Sequence, residues 1–330
     1  MGDVAMSVPV IRAIQSQNPD VKITVVTRRF FAPFFRGIKN VVIYEVDLKT
    51  KYKGILGLYK LSKDLKALEF DAVADIHNVL RTKILKLFLT GKKVVQIDKG
   101  RTEKKALVSG EKFEQLKTTH QRYADVFTKL GLHVDLSNPV FPDIVELNPK
   151  LKTYISDSNL PVIGIAPFTA FEGKMYPLDK MKSVIKELSK NNNIILFGGG
   201  KTEVEQLDVF EAEFENTESV AGKLSLDEEL DIISNLDVML SMDSGNAHIA
   251  AMLGIMVVTI WGVTHPYAGF APFNQPKDYA LLADRKQYPE IPTSIYGNKQ
   301  PEAYENAAGS ISAETVVSKI KTIISNSEAV

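Results

Sequence analysis

The residue types best suited to chemistry are concentrated in one stretch, Asp243-Ser-Gly-Asn-Ala-His-Ile-Ala-Ala-Met-Leu-Gly254. Apolar runs typical of buried strands flank it on both sides, at 238–242 and 256–261. The pattern predicts a strand, a turn of small residues, a short Ala-rich helix and a second strand. In a parallel sheet such a turn lies at the carboxyl edge, where ligands bind.

Ser244, Gly245 and Asn246 would form the start of this helix. The first amide N–H groups of a helix have no partner within it, and the helix dipole adds positive potential, so this turn could hold an anion. An ordinary strand-to-helix turn capped by Asp243 or Ser244 fits the same pattern. His248 could face a phosphate from the first turn, or pack as a neutral side chain beneath it.

Two charged residues elsewhere could act on a bound anion or on a substrate. Lys174 lies in a polar loop, Pro167-Phe-Thr-Ala-Phe-Glu-Gly-Lys-Met-Tyr-Pro177, that follows a predicted strand. Its ammonium could neutralise a diphosphate, although a single lysine is usually a solvated surface residue. Asp3 lies where the first helix is predicted to begin. A carboxylate there could be a general base, and a helix cap is the simpler interpretation.

A glycine-rich turn, Gly198-Gly-Gly200, follows another predicted strand and opens a helix with Glu203 in its first turn. It resembles a nucleotide-binding loop but matches neither the GxGxxG nor the Walker spacing. Glu203 could accept hydrogen bonds from ribose hydroxyls, or could simply interact favourably with the helix N-terminus.

Histidines are scattered along the chain at positions 77, 120, 133, 248 and 265. None stands in an HExxH or H-x-E pattern, so we predict no metal site. A Gly-x-Ser-x-Gly turn is absent too, which leaves a serine hydrolase unsupported.

The composition is that of an ordinary globular protein. Of its 330 residues, 45% are hydrophobic and 24% charged, and this length favours two domains. The 40 basic and 40 acidic residues cancel, which argues against a nucleic-acid partner. The absence of cysteine excludes disulfides and favours a reducing compartment. Neither a membrane span nor a secretory signal is recognised, so we expect a soluble cytoplasmic protein.

Predicted strands alternate with predicted helices along the chain, which indicates an α/β fold of doubly wound parallel sheets. A Pro-rich polar stretch at 138–161 interrupts the alternation. We place the connection around 145–160 and assign residues 1–150 and 151–330 to two domains. The first domain begins with a helix, so its first strand is expected to be missing. Loops are predicted at 99–116 and 284–310, and a final helix at 312–324.

Taken together, four segments resemble glycosyltransferase family 9, the ADP-heptose:lipopolysaccharide heptosyltransferases, over residues 2–265. The opening Gly2-Asp-Val-Ala-Met-Ser-Val-Pro9 is similar to the family's Gly-Asp-x(5)-Pro. The other three are Asp75-Ile-His77 with Arg81, His120-Gln-Arg-Tyr123 with Leu130-Gly131, and Asp243-Ser-Gly-Asn-Ala-His248 followed by Ala250-Ala251, Gly262 and Thr264. The last of these resembles the family's most specific signature.

The resemblance implies a GT-B fold, in which two Rossmann-like domains face a cleft. The first domain would bind the acceptor and the second the nucleotide sugar. It also implies an inverting transfer that needs neither a metal nor a cofactor. Asp3 would take the proton from the acceptor hydroxyl, while Lys174 and the backbone of 244–246 would stabilise the departing diphosphate.

The remaining residues that the resemblance assigns to the donor have smaller roles. Thr169 would lie near the phosphates, Glu203 and Leu224 near the nucleoside, and Asp243 and His248 would shape the donor pocket. The partners that the resemblance implies are a nucleotide-diphosphate sugar, namely ADP-heptose, and a saccharide or glycolipid acceptor such as the lipopolysaccharide core. A peripheral contact with the inner membrane is compatible with this assignment.

Two other functions on the same fold stay open. One is a sugar-nucleotide epimerase, for which the sequence offers no identifiable extra acid and base residues. The other is a non-catalytic nucleotide-binding module.

Overall fold

The computed structural model describes residues 1–155 and 160–328. Residues 156–159 of the connection predicted around 145–160, and residues 329–330, lie outside this description. The chain divides into two compact units. The first unit consists of Met1 and residues 3–101 and 117–140, and the second of Gly2 and residues 102–116 and 141–330.

The α-helices are α1 (Gly2–Gln17), α2 (Gly54–Lys66), α3 (Leu80–Phe88), α4 (Arg101–Val108), α5 (Thr119–Leu130), α6 (Pro149–Lys152), α7 (Leu178–Leu188), α8 (Lys201–Glu213), α9 (Leu226–Ile233), α10 (Gly245–Met252) and α11 (Ala313–Glu328). The strands are β1 (Ile23–Thr27), β2 (Val41–Glu45), β3 (Ala72–Asp75), β4 (Lys93–Gln96), β5 (Val162–Ala166), β6 (Asn193–Leu196), β7 (Thr217–Ser219), β8 (Val238–Met242), β9 (Met256–Trp261) and β10 (Ala280–Leu282).

The first unit contains two separate two-stranded parallel sheets. One pairs β1 with β2 and the other pairs β3 with β4. Helix α1 is apolar around much of its circumference, and Ala5, Val10 and Ile14 in it are fully buried. A helix that is apolar on most sides needs neighbours on most sides, so α1 is a central element of this unit.

The second unit is built on one six-stranded parallel sheet with the order β10-β9-β8-β5-β6-β7. Every residue of β5, β6 and β8 is buried, which requires that both faces of the sheet are covered. The chain runs from β5 outward to β7 and then returns to β8 on the other side of β5. The order therefore reverses between β5 and β8, which makes their carboxyl ends the topological switch point.

Helices α7 and α11 share the main core of the second unit with the sheet. Fully buried side chains from both helices, including Val184, Leu188 and Ile320, join those of β5, β6 and β8. The predicted final helix is confirmed, and its cap is Ser312, whose hydroxyl accepts a hydrogen bond from the amide of Thr315 at 3.1 Å.

The prediction of a loop over 99–116 is wrong, because residues 101–108 form α4. Its residues from 102 onward belong to the second unit, where Leu107 is buried and the Lys104 ammonium lies 4.1 Å from the ring centroid of Phe270. These contacts come from residues distant in sequence, which explains why a charged segment forms a packed helix. No helix in the described part of the chain is both long and apolar enough to cross a bilayer.

Candidate functional site

The predicted donor residues lie in loops that share one edge of the six-stranded sheet. Strands β5 to β9 are parallel, so the loops that follow them all leave from their carboxyl ends. Residues 167–177 follow β5 and residues 243–246 follow β8, which places these two loops at the switch point. The turns after β6 and β7 lead to Glu203 and Leu224 on one side of it.

A buried ion pair joins the two loops of the switch point. The ammonium of Lys174 lies 3.0 Å from Oδ2 of Asp243, with the two side chains only 12% and 10% exposed. The hydroxyl of Thr264 donates to the same oxygen at 2.8 Å. Lys174 is therefore not a solvated surface lysine, because Asp243 holds its charge in a defined place.

Three glycines allow the loop of Lys174 to lie this close to its neighbours. The carbonyl of Gly173 accepts a hydrogen bond from the amide of Val263 at 2.9 Å. A Cβ atom at Gly262 would lie 2.2 Å from that carbonyl oxygen, and one at Gly297 would lie 2.3 Å from Cδ of Lys174. Gly297 also has φ +77°, which favours glycine. The contact between Gly297 and Lys174 joins two separate loops, so no local sequence signal reveals it.

The start of α10 is not capped by the side chain of its N-cap residue. Ser244 holds this position with an extended backbone, and its side chain makes no hydrogen bond to the first turn. Its hydroxyl lies instead 3.1 Å from that of Ser241. Ser244, Gly245 and Asn246 are all half-buried. Since first-turn amides have no acceptor within their helix, this turn offers N–H groups at the sheet edge.

The turn between β6 and α8 differs, because its own helix supplies a carboxylate. Oε2 of Glu203 accepts hydrogen bonds from the amides of Gly199 at 2.8 Å and Gly200 at 3.4 Å. This geometry matches the interpretation of Glu203 as a residue suited to its own helix N-terminus. Part of the carboxylate is thus already engaged by the glycine-rich turn.

The turn between β7 and α9 carries the half-buried Leu224 and is followed by Ser225 with Glu228 three residues on, a sequence pattern that predicts a capping box. The Ser225 hydroxyl accepts from the amide of Glu228 at 3.3 Å, and Oε2 of Glu228 accepts from the amide of Ser225 at 2.9 Å. Hydrogen bonds from the Lys150 ammonium and from the amide and hydroxyl of Ser225 lower the pKa of Glu228 to about 2. The box is confirmed.

Two further predicted donor residues lie at the same sheet edge. Thr169 is half-buried after β5, and its amide donates to the sulfur of Met175 at 3.2 Å. His248 is buried within the first turn of α10. Its burial agrees with the interpretation of a histidine packed beneath the turn.

Asp3 belongs to the first unit, where it lies in the first turn of α1 with an exposed side chain. The N-cap of α1 is Met1, so the carboxylate of Asp3 is not the helix cap. The hydroxyl of Tyr123 donates to the backbone carbonyl of Asp3 at 3.3 Å. In the same motif, Nη1 of Arg122 donates to the carbonyl of Asp98 at 3.3 Å. Tyr123 therefore contacts the start of α1, and Arg122 contacts the segment that follows β4.

Residues 1–155 and 160–328 contain no group of three or more His, Cys, Asp or Glu side chains that could hold a metal ion.

Solved structures of similar architecture show the fold class. The chain superposes on a family 9 glycosyltransferase from Veillonella parvula with a TM-score of 0.74 at 19% identity, covering 98% of this chain and 94% of that one. For the E. coli heptosyltransferase WaaC with ADP the TM-score is 0.69 at 20% identity, covering 98% and 96%. The fold is GT-B, as the sequence predicts.

Sequence comparisons identify the family to which the chain belongs. The model of glycosyltransferase family 9 (heptosyltransferase) matches residues 58–298, so the chain belongs to this family and is a glycosyltransferase. It is 25% identical over 288 residues to the lipopolysaccharide core heptosyltransferase OpsX of Haemophilus influenzae, covering 83% of this chain and 79% of OpsX. It is also 25% identical over 290 residues to lipopolysaccharide heptosyltransferase 1 of Campylobacter coli, covering 81% and 82%.

Proposed function

We propose that this chain transfers heptose from ADP-heptose to a saccharide of the lipopolysaccharide core, with inversion at the anomeric carbon and without a metal ion. The names of its relatives support both substrates, since OpsX is a lipopolysaccharide core heptosyltransferase and WaaC has been solved with ADP-2-deoxy-2-fluoro heptose. The observation that carries the proposal is the Lys174 ammonium, held by Asp243 directly beside the uncapped start of α10.

In this proposal the diphosphate binds at the switch point between β5 and β8. The amides of Ser244, Gly245 and Asn246 donate to phosphate oxygens, and Lys174 supplies a full positive charge. Negative charge grows on the diphosphate as the bond to the anomeric carbon breaks, so these groups stabilise the transition state more than the bound donor. An ammonium and helix-end amides can supply this stabilisation where other enzymes use a divalent ion.

The neighbouring loops bind the rest of the donor. Leu224 contacts the adenine or ribose, and the free Oε1 of Glu203 accepts from a ribose hydroxyl while Oε2 stays with the glycine-rich turn. Thr169 lies near the phosphates at the end of β5. Asp243 and His248 shape the pocket from within, since the first is bound to Lys174 and Thr264 and the second is buried.

Asp3 is the proposed general base. The acceptor hydroxyl loses its proton to the Asp3 carboxylate while its oxygen forms a bond to the anomeric carbon of the heptose. The bond from that carbon to the phosphate oxygen breaks, and ADP leaves. Attack from the face opposite the leaving group inverts the configuration. The acceptor is a membrane glycolipid at the cytoplasmic face of the inner membrane, which the enzyme contacts peripherally.

The test is a transfer assay with ADP-heptose and a heptose-free lipopolysaccharide core acceptor. The release of ADP and the mass of the product are measured. We expect acceptor-dependent ADP release that is unchanged by EDTA, and NMR of the product should show the opposite anomeric configuration. Asp3→Asn should reduce transfer by about 1,000-fold, within the range for loss of a general base, while ADP binding by calorimetry stays within twofold.

Three outcomes would contradict parts of this proposal. Isomerisation of the nucleotide sugar without acceptor would indicate an epimerase. Binding without any transfer would indicate a nucleotide-binding module. Full turnover by Asp3→Asn would remove Asp3 from the mechanism while leaving the donor site intact.

A further inference from the structure

The first unit exposes large apolar side chains on two helices that touch. Leu56 of α2 is 84% exposed, and Leu80 and Leu87 of α3 are 75% and 72% exposed. Ile55 and Tyr59 are also exposed on α2, and the ring of Tyr59 lies 5.5 Å from that of Phe88 on α3. Single exposed apolar residues are normal, but a cluster on two adjoining helices indicates a surface that binds something apolar.

The same helices are strongly basic although the whole chain is neutral. Together α2 and α3 contain six basic residues and one acidic residue, against a net charge of zero for the chain. The only acid within α2 or α3 is Asp64, which already lies 3.5 Å from the Lys51 ammonium and accepts from the Tyr52 hydroxyl. We call the exposed apolar side chains, together with the exposed Lys53, Lys60, Lys63, Lys83 and Lys86, the α2–α3 surface.

The helical spacing places apolar and basic side chains of α2 and α3 next to one another. Leu80 and Leu87 are seven residues apart, which puts them on one side of α3, with Lys83 between them. On α2 the Lys63 ammonium lies 4.7 Å from the ring centroid of Tyr59. No residue of α3 is fully buried, so this helix lies at the periphery of the unit. Ile84, Leu85 and Phe88 are half-buried against the core, whereas Leu80 and Leu87 are exposed.

We propose that the α2–α3 surface docks the protein on an anionic lipid bilayer, with its leucines in the headgroup region and its lysines at lipid phosphates. This deepens the peripheral membrane contact of the proposed function by naming the surface that makes it. A basic amphipathic helix with exposed aliphatic side chains has the composition of an interfacial membrane helix. A nucleic acid would use the lysines but not Leu56, Leu80 and Leu87, and the charge would oppose pairing with a second copy.

The test is sedimentation of the full chain with vesicles of pure phosphatidylcholine and with vesicles containing phosphatidylglycerol. We expect binding to the anionic vesicles that weakens as salt rises, and little binding to the neutral ones. Each lysine lost should weaken binding about fivefold, so Lys60→Gln/Lys63→Gln/Lys83→Gln should weaken it about 100-fold. Leu56→Ser/Leu87→Ser should weaken it by about 100-fold as well, at about tenfold for each leucine.

Matched controls change exposed residues elsewhere. Ile144→Ser/Val209→Ser removes two apolar side chains that are 74% and 54% exposed in the second unit, and Lys129→Gln removes an exposed lysine from α5. These variants should bind anionic vesicles like the unchanged protein. All variants should keep the same melting temperature, because the altered side chains are largely in water.

Several results would overturn the proposal. The protein would fail to bind anionic vesicles, or the α2–α3 variants would bind them as well as the unchanged protein. Alternatively, the protein would bind single-stranded RNA and lose this binding only in the lysine variant. It could also self-associate and lose the self-association in the leucine variant. Transfer to a water-soluble core saccharide should be unaffected by all these variants. If no transfer occurs with any donor, the proposed function fails while vesicle binding still decides this proposal.

Discussion

Two turns at the same sheet edge, after β6 and after β8, resemble each other in sequence and differ in how their amides are used. Both consist of small residues that open a helix. In the β6–α8 turn the amides of Gly199 and Gly200 bond to Glu203 of the same helix. In the β8–α10 turn Ser244 makes no such side-chain cap, and Lys174 from another loop brings a positive charge to the adjoining Asp243.

The glycine-rich β6–α8 turn is therefore a poorer anion site than the β8–α10 turn. A carboxylate that already satisfies the amides would repel a phosphate, whereas an uncapped turn beside an ammonium attracts one. We therefore assign the diphosphate to the β8–α10 turn and the nucleoside to the side of the β6–α8 turn. Variants of the residues at the two turns separate these two roles.

The largest effect is expected at Lys174, which lies beside the β8–α10 turn, compared with Lys201, which follows the β6–α8 turn. Lys174→Met should lower the rate of transfer by about 1,000-fold, because the departing diphosphate loses the full positive charge of the Lys174 ammonium. Lys201→Met, at the start of α8, should stay within twofold, since the Lys201 side chain is 92% exposed. For each variant, steady-state kinetics measures the rate of transfer and calorimetry measures the binding of ADP.

Lys174→Met also leaves Asp243 buried without its cation, so folding must be checked separately. The double variant with Asp243→Asn removes that charge and should recover the melting temperature but not the activity. Equal activity in the two lysine variants would contradict the assignment of the diphosphate.

A methyl group beside Lys174 should have the next largest effect. Gly297→Ala would place its Cβ 2.3 Å from Cδ of Lys174, which must displace the ammonium and lower transfer by about 100-fold. Gly91→Ala is the matched control, since Gly91 also has a positive φ, +81°, but nothing within 4 Å of an added Cβ. Both should lose about 1 kcal/mol of stability from backbone strain. Equal rates in the two variants would show that the position of Lys174 is unimportant.

A smaller effect is expected at Glu203. Glu203→Ala should weaken the binding of ADP about tenfold, because a ribose hydroxyl loses a charged acceptor. Binding of inorganic pyrophosphate should not weaken, because the diphosphate lies at the other turn. Competition calorimetry distinguishes the two ligands. Weaker pyrophosphate binding would instead place the phosphates at the glycine-rich turn.

The smallest effect is expected at the capping box of α9, which is structural. Glu228→Gln should lower the free energy of unfolding by about 1 kcal/mol at pH 7 and leave transfer within twofold. The folded-state pKa of Glu228 is about 2 against an ordinary 4.5, so its stabilisation is complete above pH 4.5 and disappears as the pH falls towards 2. Urea unfolding from pH 2 to 7 should show the deficit of the variant vanish at the acid end. A deficit independent of pH would refute the role of the charge.

The second unit was largely predictable from the sequence because its strands are short apolar runs buried on both faces. Val162–Ala166, Val238–Met242 and Met256–Trp261 are found where the pattern predicts them. The run Ser219-Val-Ala221 predicts a short strand, but the strand lies two residues earlier, at Thr217–Ser219, because the ends of short strands are weakly defined by sequence. The edge strand Ala280–Leu282 was missed, because three residues carry too little periodicity to predict one.

The sequence predicts which residues form the candidate site, but it does not predict their contacts. The signature at 243–248 identified the turn, and loop position identified Lys174. Nothing local indicates that Lys174 bonds to Asp243, that Gly297 adjoins it, or that Glu203 already binds its own turn. These contacts join residues from separate loops, which only the fold brings together.

The most direct test of the central assignment is a titration of isotope-labelled protein with ADP and with adenosine, followed by amide NMR. We predict that ADP shifts the amide resonances of Ser244, Gly245 and Asn246 strongly and that adenosine does not. Pyrophosphate should reproduce the shifts of these three amides and leave those of Gly199 and Gly200 unchanged. If pyrophosphate moves Gly199 and Gly200 while residues 244–246 stay still, the diphosphate site has been assigned to the wrong turn.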